Sequence, residues 1–222
     1  MGTLYLVRHG QASFGAANYD QLSELGARQC TRLGEYLRDK GLRFDAVMRG
    51  TLQRQAQSLH ALEQGFGSLP EVSVWPALNE YDSSAVVRAV HPAPLPPADS
   101  PAAYRHHFRV LRDGLTAWIE GRTAPEGMPS HADFCAGIVA VLDHVRRAPG
   151  ANVLLVSSGG PIATAVAAVL GAPMLASIEI NLRIRNSALT EFTFNPKRHA
   201  LQTFNHLPHL DAPQYADWAT YA

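Results

Sequence analysis

Short apolar segments alternate with stretches of helical periodicity along most of this chain. The segments TLYLVR (3–8) and FDAVM (44–48) are typical of strands, and NVLLV (152–156) has the pattern of a buried strand. Each is followed by residues whose apolar positions recur at helical spacing. This alternation predicts a mostly parallel sheet with helices on both faces, which is a three-layer α/β/α sandwich.

Three residues mark the predicted starts of helices. Ser23 and Thr51 are candidate N-cap residues, and Pro161 would occupy the first position of a helix that ends near Gly171. The other predicted elements are the rest of the first helix to about Lys40, helices over 102–121 and 131–147, a third strand over 72–78 that is broken by Pro76, and a late hairpin of 189–194 and 201–204.

A proline-rich stretch divides the middle of the chain. The stretch from His91 to Pro101 contains five prolines, which excludes a helix or a central strand there and predicts a surface loop. We expect one domain over 1–222, with a lid or insertion over about 81–130 that selects the substrate.

Charge and cysteine content exclude several classes of partner. Basic and acidic residues number 19 each, so no overall field attracts nucleic acid or an anionic membrane, and no apolar run is long enough to span one. Cys30 and Cys135 lie too far apart in sequence to form a metal-ligand motif, and we expect both to be free thiols in the cytoplasm. The polar Arg8-His9-Gly10 follows too soon for a signal peptide.

Several polar residues follow the predicted strands, where ligands of parallel sheets bind. Arg8 and His9 end the first strand, Arg54 lies in the first turn of the helix after the second, and Glu80 follows the third. Residues 157–160 open a helix whose free N–H groups attract anions. Together these groups could hold a phosphate, attack phosphorus through imidazole and protonate a leaving oxygen.

Each of these residues also has a simpler interpretation. An Arg-His pair after a strand is often part of a surface loop, Arg54 can be a solvated side chain, and Glu80 can be an exposed carboxylate. A glycine-rich turn before a helix occurs in many α/β proteins. From placement alone, both interpretations stay open.

The ordered set of motifs resembles the histidine phosphatase superfamily, also called the phosphoglycerate mutase-like family. LVRHGQ resembles its Arg-His-Gly strand end, LQRQAQS its Leu-x-Arg-Ala-x-Gln-Thr segment, and VSSGGPI its Val-Ser-His-Gly-Gly-x-Ile turn. The matching segments, in chain order, are 6–11, 22–29, 52–58, 78–80, 156–162 and 185–194.

The resemblance implies a role for each matching residue. His9 would be the nucleophile that forms phosphohistidine, and Arg8 and Arg54 would bind the phosphate. Glu80 would protonate the leaving group and later activate water. The family needs no metal, and we expect no cofactor for this chain. Its partners would be small phosphorylated substrates, with the substrate and the oligomeric state left open.

One departure from the family lies in the turn that opens the helix. Ser158 replaces the family's second histidine, which normally donates a hydrogen bond to the phosphoryl oxygens. A serine hydroxyl is shorter and neutral but can still donate, so Ser158 and Gly159 are retained as predicted phosphate ligands. His131 or Arg49 could take over the missing contact.

Two other departures disfavour mutase activity. Gly15 replaces an asparagine common after the nucleophile, and residues 81–84 lack the mutases' Gly-x-x-Glu-Gly. The sequence therefore favours a metal-independent phosphatase. The alternatives are a member of the family that binds phosphorylated ligands with weakened catalysis, and a serine hydrolase using Ser158, although Val156 stands where that motif requires glycine.

Overall fold

The computed structural model describes residues 1–13, 20–97, 99–148 and 150–221, so Gly15 lies outside the described residues. Within these ranges a six-stranded mixed sheet has the order β3-β2-β4-β1-β5-β6. The strands are β1 (Gly2–Arg8), β2 (Ala46–Arg49), β3 (Val72–Val74), β4 (Asn152–Ser157), β5 (Leu189–Phe194) and β6 (His199–His206).

Helices cover both faces of this sheet, as predicted. They are α1 (Glu24–Asp39), α2 (Gln53–Phe66), α3 (Ser83–Val90), α4 (Pro101–Ile119), α5 (His131–Arg146), α6 (Gly159–Leu170) and α7 (Ala176–Asn181), with short 3₁₀ turns at Pro76–Leu78, Pro208–Leu210 and Pro213–Trp218. No helix in the described ranges is both long enough and apolar enough to cross a membrane.

The central strands alternate their side chains between two apolar cores. Val7 and Val156 pack with α1 and α2 on one face, whereas Leu6 and Leu155 pack with α5 and α6 on the other. Because both faces are covered, these strands are almost continuously apolar rather than alternating with polar residues. The α/β fold class expected from the sequence is confirmed.

Strand direction determines where the polar strand ends meet. β1, β2, β3 and β4 run parallel, and β5 and β6 complete the other side of the sheet as an antiparallel pair. In this register Arg8 at the end of β1 is opposite Ser157 at the end of β4. The residues that follow both strands therefore emerge at the same edge.

The predicted start of α2 was wrong because the capping group comes from a distant segment. The N-cap position is Leu52, not Thr51. The carboxylate of Asp20 accepts the backbone N–H of Gln53 at 2.8 Å, while the Thr51 hydroxyl accepts a hydrogen bond from Asn79.

Two other boundaries also differ from the prediction. Helix α6 begins at Gly159, so Pro161 is its third residue rather than its first. The strand predicted over 72–78 is broken at Pro76, as expected, but it ends at Val74 and does not resume, because Pro76 begins a 3₁₀ turn. That turn brings Glu80 back toward the edge of the sheet.

The segment after Glu80 contains α3, which the sequence analysis did not predict, and α4. The two helices are in close contact: a Cβ on Gly114 of α4 would lie 2.7 Å from the carbonyl oxygen of Val86 of α3. The cluster of Val86, Leu115, Trp118 and Ile178 fixes this pair against α7. The helices thus form one wall above the edge of the sheet where Arg8 lies.

Candidate active site

The turn after β1 is held tightly by its neighbours. The N–H of His9 donates to the carbonyl of Ser157 at 2.9 Å, and the N–H of Gly10 donates to the Ser58 hydroxyl at 3.0 Å. A Cβ on Gly10 would lie 2.4 Å from the carbonyl oxygen of Gly26, so the approach of α1 requires glycine here. These contacts fix the position of the His9 side chain.

The His9 imidazole is buried, with 3% of its surface exposed. Its Nδ1 lies 2.7 Å from the carbonyl oxygen of Gly10, and Arg54 Nε donates to its Nε2 at 3.2 Å. These partners assign the proton to Nδ1 and the lone pair to Nε2. Burial, assisted by the charges of Arg8 and Arg54, lowers the pKa of His9 well below its usual range. The imidazole is therefore neutral near pH 7.

The two arginines that flank His9 are each anchored from another segment. Arg54 Nη1 forms an ion pair with Asp20 at 2.7 Å, and Arg8 Nη1 donates to the carbonyl of Ile184. Both side chains are more than nine-tenths buried. Two positive charges are therefore held beside a neutral imidazole.

The Glu80 carboxylate lies at the start of α6. Its two oxygens accept the Gly160 N–H at 3.0 and 3.1 Å. Burial raises the pKa of Glu80, and the Gly160 hydrogen bond and the nearby arginines oppose that rise. A Cβ on Gly160 would lie 2.2 Å from Glu80 Oε1, so only glycine leaves room for this carboxylate.

Four of the predicted site residues meet at one end of a cavity of about 830 Å³: Arg8, His9, Arg54 and Glu80. The cavity continues away from the sheet between α3, the proline-rich segment and α4. Neither Ser158 nor Gly159 is among the described residues that line it. Their role as phosphate ligands stays a prediction.

Ser158 is fully buried and paired with a residue that the sequence analysis missed. Its hydroxyl accepts a hydrogen bond from Gln55 Nε2 at 2.9 Å, and the same amide donates to the carbonyl of Leu78 at 2.8 Å. Gln55 stands where the family segment Leu-x-Arg-Ala-x-Gln-Thr has alanine. That mismatch was the available signal for an unusual residue beside Ser158.

The two residues considered as substitutes for the family histidine lie elsewhere. His131 packs edge-on against Trp118, with ring centroids 4.9 Å apart, and Arg49 donates to the carbonyl of Gly50. Neither lines the cavity among the described residues. Among all the residues that the structure describes, no group of three or more His, Cys, Asp or Glu residues is arranged to hold a metal ion.

Comparison with known proteins identifies the family of this chain. The sequence profile of the Histidine phosphatase superfamily (branch 1) matches residues 4–207. The chain belongs to this superfamily. The resemblance inferred from the motifs is thus confirmed.

A curated relative of this chain is a phosphoglycerate mutase. The 2,3-bisphosphoglycerate-dependent phosphoglycerate mutase 2 of Latilactobacillus sakei subsp. sakei (strain 23K) is 29% identical over 143 residues, which are 60% of this chain and 62% of that protein. The match thus spans less than two thirds of that relative's length.

Two solved structures share the fold at low identity. Bacillus stearothermophilus YhfR has a TM-score of 0.68 and 19% identity, covering 94% of this chain and 99% of its own. A phosphoserine phosphatase mutant from Entamoeba histolytica, solved with phosphoserine, has a TM-score of 0.62 and 17% identity, covering 95% of this chain and 100% of its own. At these identities the likeness shows the phosphoglycerate mutase-like fold alone.

Proposed function

We propose that this protein hydrolyses phosphomonoesters through a covalent phosphohistidine on His9. The observation that supports this most directly is the unprotonated Nε2 of the neutral His9 imidazole. This imidazole is buried between two arginines and lines the same cavity as Glu80. Imidazole is a competent nucleophile in this protonation state, and guanidinium groups bind phosphoryl oxygens in a planar, bidentate manner.

The first step transfers the phosphoryl group to the enzyme. Substrate oxygens replace His9 Nε2 as acceptors for the Arg54 guanidinium, which frees the imidazole lone pair. Nε2 then forms a bond to phosphorus while the bond from phosphorus to the ester oxygen breaks. Glu80, whose pKa is raised by burial, enters this step in its protonated form and gives its proton to the departing alcohol.

The second step regenerates the enzyme. The Glu80 carboxylate, now deprotonated, takes a proton from a water molecule as that water attacks phosphorus. The bond between phosphorus and Nε2 breaks, inorganic phosphate leaves, and both His9 and Glu80 return to their starting protonation states. Positioning and electrostatic stabilisation supply most of the rate enhancement in such reactions.

Rapid quenching with ³²P-labelled substrate tests the covalent step. We expect an acid-labile, base-stable label on the protein that is lost in His9→Ala and retained in the matched control His60→Ala, whose imidazole is exposed and contacts Gln64. A label that persists in His9→Ala would contradict the proposal.

A second candidate is a member of the superfamily that binds phosphorylated ligands with weakened catalysis. The observation that favours it is Ser158, whose hydroxyl is bound by Gln55 and supplies no imidazole to the site. This candidate predicts micromolar binding with turnover near background, which p-nitrophenyl phosphate hydrolysis distinguishes. A serine hydrolase receives little support, because the Ser158 hydroxyl pairs with the Gln55 amide rather than with a base.

Three further features of the sequence analysis remain proposals. We propose that residues 81–130 act as the lid of a single domain, since α3 and α4 form the wall of the cavity. We also propose that the reaction needs no metal. A cytoplasmic location stays a prediction, consistent with free thiols at Cys30 and Cys135.

A further inference from the structure

We propose that the preferred substrate is a phosphomonoester whose alcohol is bulky and apolar, either aromatic or a long aliphatic chain, rather than a small phosphorylated acid. This inference rests on the proposed function, because it assigns the leaving group of that reaction. It is drawn from the part of the cavity that lies beyond Arg8, His9, Arg54 and Glu80.

The size of the cavity is the first argument. At about 830 Å³ it lies near the upper end of the roughly 300–1,000 Å³ that encloses drug-sized ligands. A phosphoryl group and a three-carbon acid would leave most of this space filled with water. A larger leaving group would instead displace that water and contact the walls.

The walls of the cavity are mostly apolar. The ring centroids of Tyr104 and Phe108 lie 4.8 Å apart on α4, and Tyr104 is 44% exposed, which leaves aromatic surface available to a ligand. The other apolar lining residues are Leu52, Val87, Pro92, Ala93, Pro94, Leu95, Leu111, Leu182 and Ile184. Such surfaces stabilise an apolar group in proportion to the area removed from water.

Charge in the outer part of the cavity argues against an acidic leaving group. Arg88, an exposed residue on α3, is the one Arg or Lys among the described lining residues outside the catalytic end. Asp82 lies on the same wall and carries the opposite charge. The imidazoles of His91 and His107 each contact a backbone carbonyl, at 2.7 and 2.6 Å. A substrate carboxylate would therefore find a single cation there, the exposed Arg88, on a wall that also carries the negative charge of Asp82.

Hydrolysis of two esters by the full chain tests this inference. We expect kcat/KM for octyl phosphate, a primary alkyl ester like 3-phosphoglycerate and so matched to it in leaving-group chemistry, to exceed that for 3-phosphoglycerate by at least about tenfold, in the range that differences in apolar contact produce. Leu95→Lys places a cation in the apolar wall and should reduce this ratio at least about threefold.

The matched control is Leu170→Lys. Leu170 is 57% exposed at the far end of α6, about 17 Å along the helix from Gly159, and does not line the cavity. It should leave the ratio unchanged. Thermal melting of both variants establishes that each is folded.

The outcomes separate the inference from the proposed function. Hydrolysis of neither ester, with no phosphohistidine, refutes the proposed function and the inference with it. Hydrolysis with equal or greater kcat/KM for 3-phosphoglycerate leaves the proposed function intact and overturns the inference. If Leu95→Lys and Leu170→Lys change the ratio of the two kcat/KM values equally, the inference is also overturned.

Discussion

Replacing Ser158 with the family's histidine should destabilise the protein unless Gln55 is shortened at the same time. Both residues are fully buried, and their side chains are in hydrogen-bond contact at 2.9 Å. An imidazole at position 158 would therefore enter space that the Gln55 amide occupies. In Ser158→His together with Gln55→Ala, that space is vacated.

The expected magnitudes follow from the atoms exchanged. Ser158→His adds about four heavy atoms to a filled site, which should cost about 1–3 kcal/mol in the free energy of unfolding. Gln55→Ala removes about four heavy atoms and two hydrogen bonds, and should cost about 1–3 kcal/mol. The Leu78 carbonyl still accepts from the Ser157 hydroxyl at 2.8 Å, which limits that cost. The double variant conserves volume, so we expect a favourable coupling of at least about 1 kcal/mol.

Urea unfolding of the four proteins measures this coupling, and p-nitrophenyl phosphate hydrolysis measures its effect on catalysis. If the imidazole reaches the phosphoryl oxygens, the double variant should exceed Gln55→Ala in kcat by up to about 100-fold, the lower end of what one preorganised donor contributes. The reasoning is refuted if the two substitutions are additive in stability and Ser158→His alone is as stable as the wild type.

Other predictions concern the catalytic carboxylate, pH and metals. Gly160→Ala should lower kcat/KM by at least about 100-fold through displacement of Glu80, whereas Gly137→Ala, whose added Cβ would lie 3.1 Å from the Ala77 Cβ and needs only a small shift, should retain most of the activity. In the pH–rate profile, the rate should fall at high pH as Glu80 loses its proton, at a pH set by the raised pKa of this residue. The fall at low pH, where His9 becomes protonated, should lie well below pH 6.5 because the pKa of His9 is lowered. Burial lowers the pKa of His209 to about 3, so between pH 6.5 and 5 the unfolded state takes up a proton that folded His209 does not. The drop in unfolding free energy over this range, measured by urea titration, should therefore be smaller in His209→Gln than in the wild type by up to about 2 kcal/mol. EDTA should leave turnover unchanged, and a loss of turnover on chelation would contradict metal independence.

The sequence alone was sufficient to predict the fold class and the edge at which the site lies. Buried strands such as β4 have a local signature, because both faces of a parallel sheet are covered and the strand must be apolar throughout. The Arg8-His9 pair follows such a strand directly. The location of this pair at the end of a strand could therefore be predicted without knowledge of the tertiary structure.

Contacts between distant segments were decided only by the tertiary structure. Asp20 caps α2 and holds Arg54, and Gln55 pairs with Ser158 across 103 positions of the chain. Neither contact has a local pattern, because each depends on which side chains the sheet brings together. The same holds for α3, a two-turn helix that is too short to be recognised from its sequence pattern and is stabilised by packing its apolar face against α4.

What the sequence determined by itself is the set of reactive groups and the sheet that carries them, because strand periodicity and helix starts are encoded within a few neighbouring residues. The tertiary structure decided the protonation of His9, the burial of Ser158 and the shape of the apolar cavity. These depend on desolvation and on packing between segments far apart in the chain, which no local pattern specifies.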